Sequence, residues 1–151
     1  MTATTRIIDG PLPPIDPHAP HDGAVGRARA GDAGAELIFH GRVRGTEATK
    51  GTDGGDTVPI VALDYEQYEG MTAAELQQLA DETATRFPLL AFECLHRVGR
   101  VPVGEASLRV TLISAHRGEA IDALTWFVNE LKVRVPIWKW GVRADGSRFP
   151  S

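Results

Sequence analysis

The chain has 151 residues, and its 16 lysines and arginines against 20 aspartates and glutamates give a formal net charge of −4. This length predicts one domain that buries a hydrophobic core without disulfides. The mildly acidic balance disfavours nucleic-acid binding through a broad basic face, although a local anion site remains compatible with it. No apolar run reaches the ~20 residues of a membrane span, and the first residues lack a signal peptide's apolar segment, so we expect a cytoplasmic protein without a membrane partner.

The sequence shows no clear metal-ligand pattern. The single cysteine, Cys94, excludes an internal disulfide and a zinc site built from several cysteines. It stands in an apolar run, which is typical of a small core residue. His18 and His21 are interpreted as solvated loop residues rather than ligands. We therefore expect neither a metal nor another cofactor.

The N-terminal region differs from the rest of the chain in composition. Arg6 to Asp9 could form a short strand, but residues 10–34 are rich in proline and glycine and predict a loop or partly ordered arm. One short helix near Val25 to Ala30 is compatible with this arm. We divide the chain into an N-terminal strand and arm, residues 1–35, and a main domain, residues 36–151.

The hydrophobic pattern of the main domain predicts strands that alternate with two helices. The strands and the closing hairpin, which has an Asp-Gly turn, cover Glu36–Val43, Val58–Tyr65, Leu89–Val98, Ser107–Ala115 and Trp138–Phe149. Residues 46–56 are rich in glycine and short polar side chains, which predicts a mobile surface loop, and Gly99 to Gly104 are expected to form a connection. This order of elements predicts an α+β fold.

The two helices have recognisable ends. Thr72 and Glu75 form a capping-box pattern at the start of the first helix, and Pro88 stops that helix. The second helix is predicted from Arg117 to Arg134, with Pro136 beyond its end. Its apolar stripe consists of Ala120, Ile121, Leu124, Phe127, Val128 and Leu131.

Cationic side chains stand at both ends of this second helix. His116 and Arg117 follow a strand and begin the helix, where free backbone N–H groups and the helix dipole favour an anion. Two interpretations remain open at this point: a phosphate or carboxylate site, or an exposed helix cap. Lys132 taken alone is typical of a solvated helix flank, whereas Lys139 lies between Trp138 and Trp140, an apolar setting that suits a lysine acting as acid, base or point charge.

The length of the helix separates these two groups of cations. Sixteen residues lie between His116 and Lys132, a distance of roughly 24 Å at the helical rise. The two groups cannot easily share one small-ligand site within a single subunit. If they cooperate, a dimer could bring His116 and Arg117 of one subunit close to Lys132 of the other.

Several motifs together resemble one family, the large, catalytic subunit of molybdopterin synthase. The motifs are FHGRVR (Phe39–Arg44), LDYEQYEGM (Leu63–Met71), HRVG (His96–Gly99), SAHR (Ser114–Arg117) and LKVRVPIWK (Leu131–Lys139). They occur in the family's order and together span most of the chain after Glu36. The resemblance implies an α/β hammerhead fold with an additional antiparallel β subdomain. It also implies a homodimer with one small ubiquitin-like sulfur-carrier subunit, MoaD-like, at each end, and hence a heterotetramer.

The same resemblance implies a reaction and roles for residues. Sulfur passes from the C-terminal thiocarboxylate of the carrier to cyclic pyranopterin monophosphate, which forms the dithiolene of molybdopterin in molybdenum cofactor biosynthesis. Lys132 and Lys139 would be the catalytic lysines. The substrate-binding residues would include Arg42, Arg44 and, from the partner subunit, His116 and Arg117.

The two residues after Lys139, Trp140 and Gly141, are included among the candidate substrate-binding residues, although they depart from the family pattern. The family usually has a polar or basic residue there, followed by a glutamate. The sequence also ends at Ser151, short of a basic segment found in other members. The alternative interpretation is a non-catalytic dimeric paralogue that still binds the carrier subunit or a phosphorylated ligand.

Overall fold

A computed structural model describes residues 3–15, 31–49 and 56–151 of the chain. Nine strands and two helices lie within these ranges, and neither helix is long and apolar enough to cross a membrane. The elements are β1 (Ala3–Asp9), β2 (Ala35–Arg42), β3 (Thr46–Ala48), β4 (Thr57–Pro59), β5 (Ala62–Gln67), α1 (Met71–Arg86), β6 (Leu89–Pro102), β7 (Ala106–Ser114), α2 (Arg117–Arg134), β8 (Ile137–Val142) and β9 (Arg148–Pro150). The α+β prediction is confirmed.

Seven strands form one sheet in the order β2-β7-β6-β5-β8-β9, and β1 pairs with β6 beside this path. The β1–β6 pair is parallel, and the other pairs in this sheet are antiparallel. Strands β3 and β4 form a separate two-stranded sheet. The strand predicted at Arg6–Asp9 therefore exists, and it begins earlier, at Ala3.

Strand β6 links two parts of the fold. Its residues up to Val98 pair with β1 and β7, whereas Gly99 to Pro102 pair with β5. Gly99 lies at the junction with φ of 80°, a backbone conformation that glycine adopts without steric cost. The prediction of a connection from Gly99 to Gly104 was wrong, because hydrogen bonding to β5 continues the strand to Pro102.

Both helices pack on one face of the sheet. The core between them contains large apolar side chains that are fully buried, among them Leu76 and Leu79 of α1, Phe127 of α2 and Phe92 of β6. The rings of Phe92 and Phe127 meet edge to face with centroids 4.9 Å apart. The predicted bounds of α2 are confirmed. Ile121, which was predicted to lie in the apolar stripe of this helix, is half exposed, because the helix orients the small Ala123 towards the core.

The start of α1 differs from the prediction. The helix begins at Met71 after Gly70, and Thr72 is fully buried inside the first turn instead of capping it. Its hydroxyl lies 3.0 Å from the carbonyl oxygen of Tyr68 and 3.1 Å from that of Pro136, to which it can donate. The capping-box prediction was wrong because the threonine connects two segments distant in sequence.

The strand predicted from Val58 to Tyr65 is two strands. Residues of β4 pair with β3, while β5 pairs with β6 and β8, so the chain changes partners near Ile60. The segment predicted as a mobile loop contributes β3 at its start. Residues 50–55 of that segment, His18, His21 and the helix considered near Val25 to Ala30 lie outside the described residues.

Two further expectations of the sequence analysis are confirmed. Strands β8 and β9 form the closing hairpin, whose turn contains Gly146 at φ of 86°. Cys94 is fully buried in the core below the helices, and burial raises the pKa of its thiol. A thiol in this position acts as a packing group.

Candidate active site

A cavity of about 550 Å³ lies where the end of α2 meets β8 and the adjoining strands. We call it the lysine pocket. Apolar residues of α2, β2, β7 and β8 form part of its wall, and its polar side chains include Arg42, Tyr65, His96, Ser107, Lys132, Lys139 and Ser151. Two of the three cations that line it, Lys132 and Lys139, are the lysines singled out in the sequence.

Local structure explains how these two lysines meet. Lys132 lies in the last turn of α2, which ends at Arg134. Pro136 cannot continue a helix, and the chain enters β8 at Ile137. Lys139 then stands opposite Tyr65 in the β5–β8 register, so both side chains point to the same face of the sheet.

Lys139 is held by a carboxylate. Its Nζ lies 3.1 Å from Oε1 of Glu47 in β3, and the side chain of Glu47 is only 11% exposed. This contact fixes the ammonium at the edge of the pocket and ties the β3–β4 hairpin to β8. Sequence reasoning missed Glu47, since it stands in a polar stretch without hydrophobic periodicity.

Lys132 has a different environment. It is exposed at its position on the helix and forms no salt bridge within the described part of the chain. Its ammonium is therefore available to an anionic ligand that enters the pocket. The two lysines thus differ: one is anchored by a carboxylate, and the other faces the opening.

An aromatic pair forms another part of the pocket wall. The rings of Tyr65 and His96 meet edge to face with centroids 5.6 Å apart. Nδ1 of His96 lies 2.9 Å from the carbonyl oxygen of Arg97 and donates to it, which leaves Nε2 as an acceptor. Burial lowers the pKa of His96, and it raises the pKa of Tyr65 despite an opposing hydrogen bond from Ser107.

The pocket therefore combines neutral groups able to exchange protons with cations able to bind an anion. His96, Tyr65 and Ser107 were not among the predicted site residues. The one available signal was a histidine inside an otherwise apolar strand, within the HRVG motif. Their convergence depends on the pairing of β5, β6 and β7, which the sequence pattern did not specify.

The predicted arginines take two different positions. Arg42 ends β2, lines the lysine pocket and donates to the carbonyl oxygen of Gly104 at 3.0 Å. Arg44 is exposed just beyond the strand and does not line this pocket. The structure thus joins Arg42, but not Arg44, to Lys132 and Lys139.

His116 and Arg117 lie at the opposite end of α2 from Lys132. Both are exposed, and the backbone N–H of His116 lies 3.3 Å from Oε2 of Glu119. The hydroxyl of Ser114 donates to the carbonyl oxygen of His116 at 2.7 Å. Within one chain these residues do not reach the lysine pocket, as the helix length predicts.

Trp140 and Gly141 do not line the lysine pocket. The ring of Trp140 packs under the guanidinium of Arg148, whose Cζ lies 4.9 Å from the ring centroid. A Cβ atom on Gly141 would lie 2.3 Å from the ring of Phe149, so the strand accepts only glycine here without a shift. In the described structure both residues contribute to the packing of β8 against β9.

The fold and the pocket define an α+β protein whose lysines and arginine converge on a cavity suited to an anionic substrate. The model of the family described as MoaE protein matches residues 14–134. The chain belongs to this family.

Solved and curated relatives agree with this assignment. The molybdopterin synthase catalytic subunit of Escherichia coli is 33% identical over 147 residues, which cover 97% of this chain and 90% of that protein. The molybdopterin biosynthesis MoaE protein of Burkholderia ambifaria superposes with a TM-score of 0.69 at 30% identity, over 99% of this chain and 92% of that one.

A structure from Helicobacter pylori shows the same fold. It is described as a protein–protein complex of subunits 1 and 2 of molybdopterin-converting factor. The matching chain superposes with a TM-score of 0.69 at 21% identity and covers 99% of this chain and 90% of that one.

The lowered pKa of His96 predicts that stability falls with acidification. Because the folded state binds this proton less readily than the unfolded state, the stabilisation is complete above the ordinary value of 6.5 and is lost as pH falls through the folded pKa. His40 has a lowered pKa and contributes in the same direction. Urea unfolding between pH 7.5 and 5.5 should show a free energy that decreases by up to about 1.4 kcal/mol per pH unit for each histidine.

A His96→Gln variant isolates the contribution of His96 to the pH dependence of the unfolding free energy. Glutamine does not titrate in this range, so the slope of unfolding free energy against pH should become smaller than in the wild type. A His116→Gln variant is the matched control, since that histidine is exposed. An equal slope in the wild type and the His96→Gln variant would contradict the prediction.

Proposed function

We propose that this chain is the catalytic subunit of a molybdopterin synthase and that the lysine pocket is its active site. Sulfur is transferred from the C-terminal thiocarboxylate of a small carrier subunit to cyclic pyranopterin monophosphate. The observation that carries the proposal is the convergence of Lys132 and Lys139 with Arg42 in one cavity of a MoaE-family chain.

The charge of the pocket suits this chemistry. A thiocarboxylate and a monophosphate are both anions, and ammonium and guanidinium groups stabilise charge on them in a partly buried cavity. Lys132 faces the opening and receives the carrier's C-terminus. Lys139, anchored by Glu47 at 3.1 Å, is the second catalytic lysine and is held in place next to the reacting atoms.

Neutral groups beside the lysines complete the site. Nε2 of His96 is an acceptor, and the phenol of Tyr65 is protonated at neutral pH, as an ordinary tyrosine is, with a pKa that burial raises further. These groups can accept or donate a proton while the lysines hold charge. The proposal needs no metal for this transfer.

The remaining predicted residues complete the site in a homodimer. Arg44 is exposed at the end of β2, and His116 and Arg117 are exposed at the far end of α2. A second subunit that places its His116 and Arg117 beside Arg44 binds the phosphate of the substrate between the two chains. The exposure of all three cations in the single chain supports this arrangement.

The partner that supplies sulfur is a small ubiquitin-like carrier subunit. Support comes from the family assignment and from the description of the Helicobacter pylori relative as a complex of two subunits. The opening at Lys132 and Trp138 is an exposed part of the pocket rim, to which an extended C-terminal tail can gain access.

Removing either lysine should abolish most of the activity. Thiocarboxylated carrier and cyclic pyranopterin monophosphate are supplied, and molybdopterin is measured. Lys132→Ala and Lys139→Ala should each lower the rate about a hundredfold or more, because the pocket loses a charge-stabilising group. Val133→Ala is the matched control, since Val133 lies beside Lys132 and is 83% exposed.

The same assay separates the proposal from its alternative. If the wild-type chain binds the carrier but forms no molybdopterin, the chain is a non-catalytic paralogue. Binding of the carrier is measured independently, by calorimetry, so that loss of binding is not mistaken for loss of turnover.

Glu47 should act by positioning Lys139. Glu47→Gln keeps the shape of the side chain but removes the charge from the hydrogen bond to Nζ. We expect kcat to fall about tenfold, the order of one charge-assisted hydrogen bond, with little change in carrier affinity. Glu66→Gln is the control, because Glu66 is exposed and pairs with Arg148. An unchanged kcat for Glu47→Gln would remove Glu47 from the site.

Mixed dimers test whether the two ends of α2 cooperate across subunits. Dimers that combine an Arg117→Ala chain with a Lys132→Ala chain should regain up to one intact site, whereas each variant alone stays inactive. Differently tagged chains allow the mixed dimers to be purified before assay. Absence of any recovery in proven mixed dimers would contradict the shared site.

A further inference from the structure

A second cationic cavity lies on the face of the sheet away from the helices. Its volume is about 280 Å³, and its charged and titratable residues are His40, Arg42, Arg97, Arg109 and Glu105. We call it the arginine pocket. The lysine pocket shares only Arg42 with this set.

Strand pairing brings these side chains together. His40 of β2 stands opposite Arg109 of β7, and Arg109 stands opposite Leu95 of β6. Arg97 follows two residues after Leu95 and so shares its face. Side chains alternate between the two faces along β7. Leu108 and Val110 pack in the core against the helices, so Arg109 between them lies on the opposite face.

The N-terminal segment closes one side of the cavity. Pro11 and Leu12 line it, and Nη2 of Arg109 donates to the carbonyl oxygen of Pro13. The cavity is therefore enclosed by sheet on one side and by residues after β1 on another. A small ligand would be held by groups from four separate segments of the chain.

Two of the guanidinium groups are deeply buried. Arg97 is 5% exposed and Arg109 is 8% exposed. Arg97 places Nη1 2.5 Å from Oε2 of Glu105 and donates through Nη2 to the carbonyl oxygen of Arg100 at 3.1 Å. Its Nε is buried and has no hydrogen-bond partner among the described residues. A buried N–H without a partner is costly, and a nearby anion would lower that cost electrostatically.

Charge in the cavity also favours an anion. Nε of Arg109 donates to Nε2 of His40 at 3.0 Å, so the ring proton of a neutral His40 is on Nδ1 and remains a donor. Burial, then Arg109 and Arg42, lower the pKa of His40, as expected in an electropositive environment. Glu105 lines the cavity and Glu93 is near enough to act on Arg109, so three guanidinium groups stand against two carboxylates.

We propose that the arginine pocket binds one phosphate-class oxyanion, as the free ion or as a phosphomonoester group, through Arg97, Arg109, Arg42 and His40. The cavity, at about 280 Å³, has room for such a group. Donors from three neighbouring strands surround it from different directions, an arrangement that suits a tetrahedral anion better than a planar carboxylate. This site does not include Arg44, His116 or Arg117, and it shares only Arg42 with the lysine pocket.

Calorimetric titration with inorganic phosphate tests the site in the full chain. Arg109→Gln should weaken phosphate binding about tenfold or more, because a charge-assisted contact is lost. Arg86→Gln is the matched control, since Arg86 stacks on Trp126 at the helical face. Arg117→Ala disrupts the phosphate site proposed between the two chains, so phosphate binding that persists in this variant and is weakened further by Arg109→Gln belongs to the arginine pocket.

A second measurement covers the case in which Arg109→Gln fails to fold. In the wild-type chain with ¹⁵N-labelled arginine, the buried Nε–H of Arg97 should change its resonance on addition of phosphate, and Arg86 should not. Binding of both phosphate and glycerol phosphate would identify a phosphomonoester site, and binding of phosphate alone a free-ion site. No binding at millimolar phosphate, or equal binding by folded Arg109→Gln, would overturn the proposal.

Discussion

The transition from α2 to β8 is the constraint on which the lysine pocket depends. Between Lys132 and Lys139 the helix ends and the backbone becomes extended near Pro136. Two groups form hydrogen bonds to the carbonyl oxygen of Pro136. The hydroxyl of Thr72 lies 3.1 Å from it, and the backbone N–H of Tyr68 donates to it at 3.3 Å. The start of α1 therefore fixes the direction in which β8 leaves α2. Pairing of β8 with β5 then places Lys139 beside Tyr65.

The carboxylate that contacts Lys139 comes from a distant strand. In the family that the motifs resemble, a glutamate usually stands two residues after this lysine, and here that position is Gly141. The ring of Phe149 fills the space that a side chain would need there. Glu47 of β3 instead reaches Nζ of Lys139 at 3.1 Å. The β3–β4 hairpin thus contributes to the site through one ion pair.

The two cavities use the two faces of the sheet for different chemistry. On the helical face, ammonium groups lie beside a neutral imidazole and a phenol, a combination that suits proton transfer. On the other face, guanidinium groups that stay charged at any physiological pH surround a smaller space. Arg42 lines both cavities at the end of β2, next to the irregularity between Gly41 and Arg42. Arg42 is therefore the residue that the two cavities share.

The sequence by itself determined the α+β class, the bounds of α2, the closing hairpin, and the separation of His116 from Lys132. These follow from local periodicity, proline positions and the fixed rise of a helix. Only the tertiary structure decided that β6 continues past Gly99, that Thr72 joins α1 to the turn at Pro136, and that Glu47 and His96 lie beside the lysines of the lysine pocket. Each depends on contacts between segments far apart in the chain, and a single sequence contains no local signal for which segments meet.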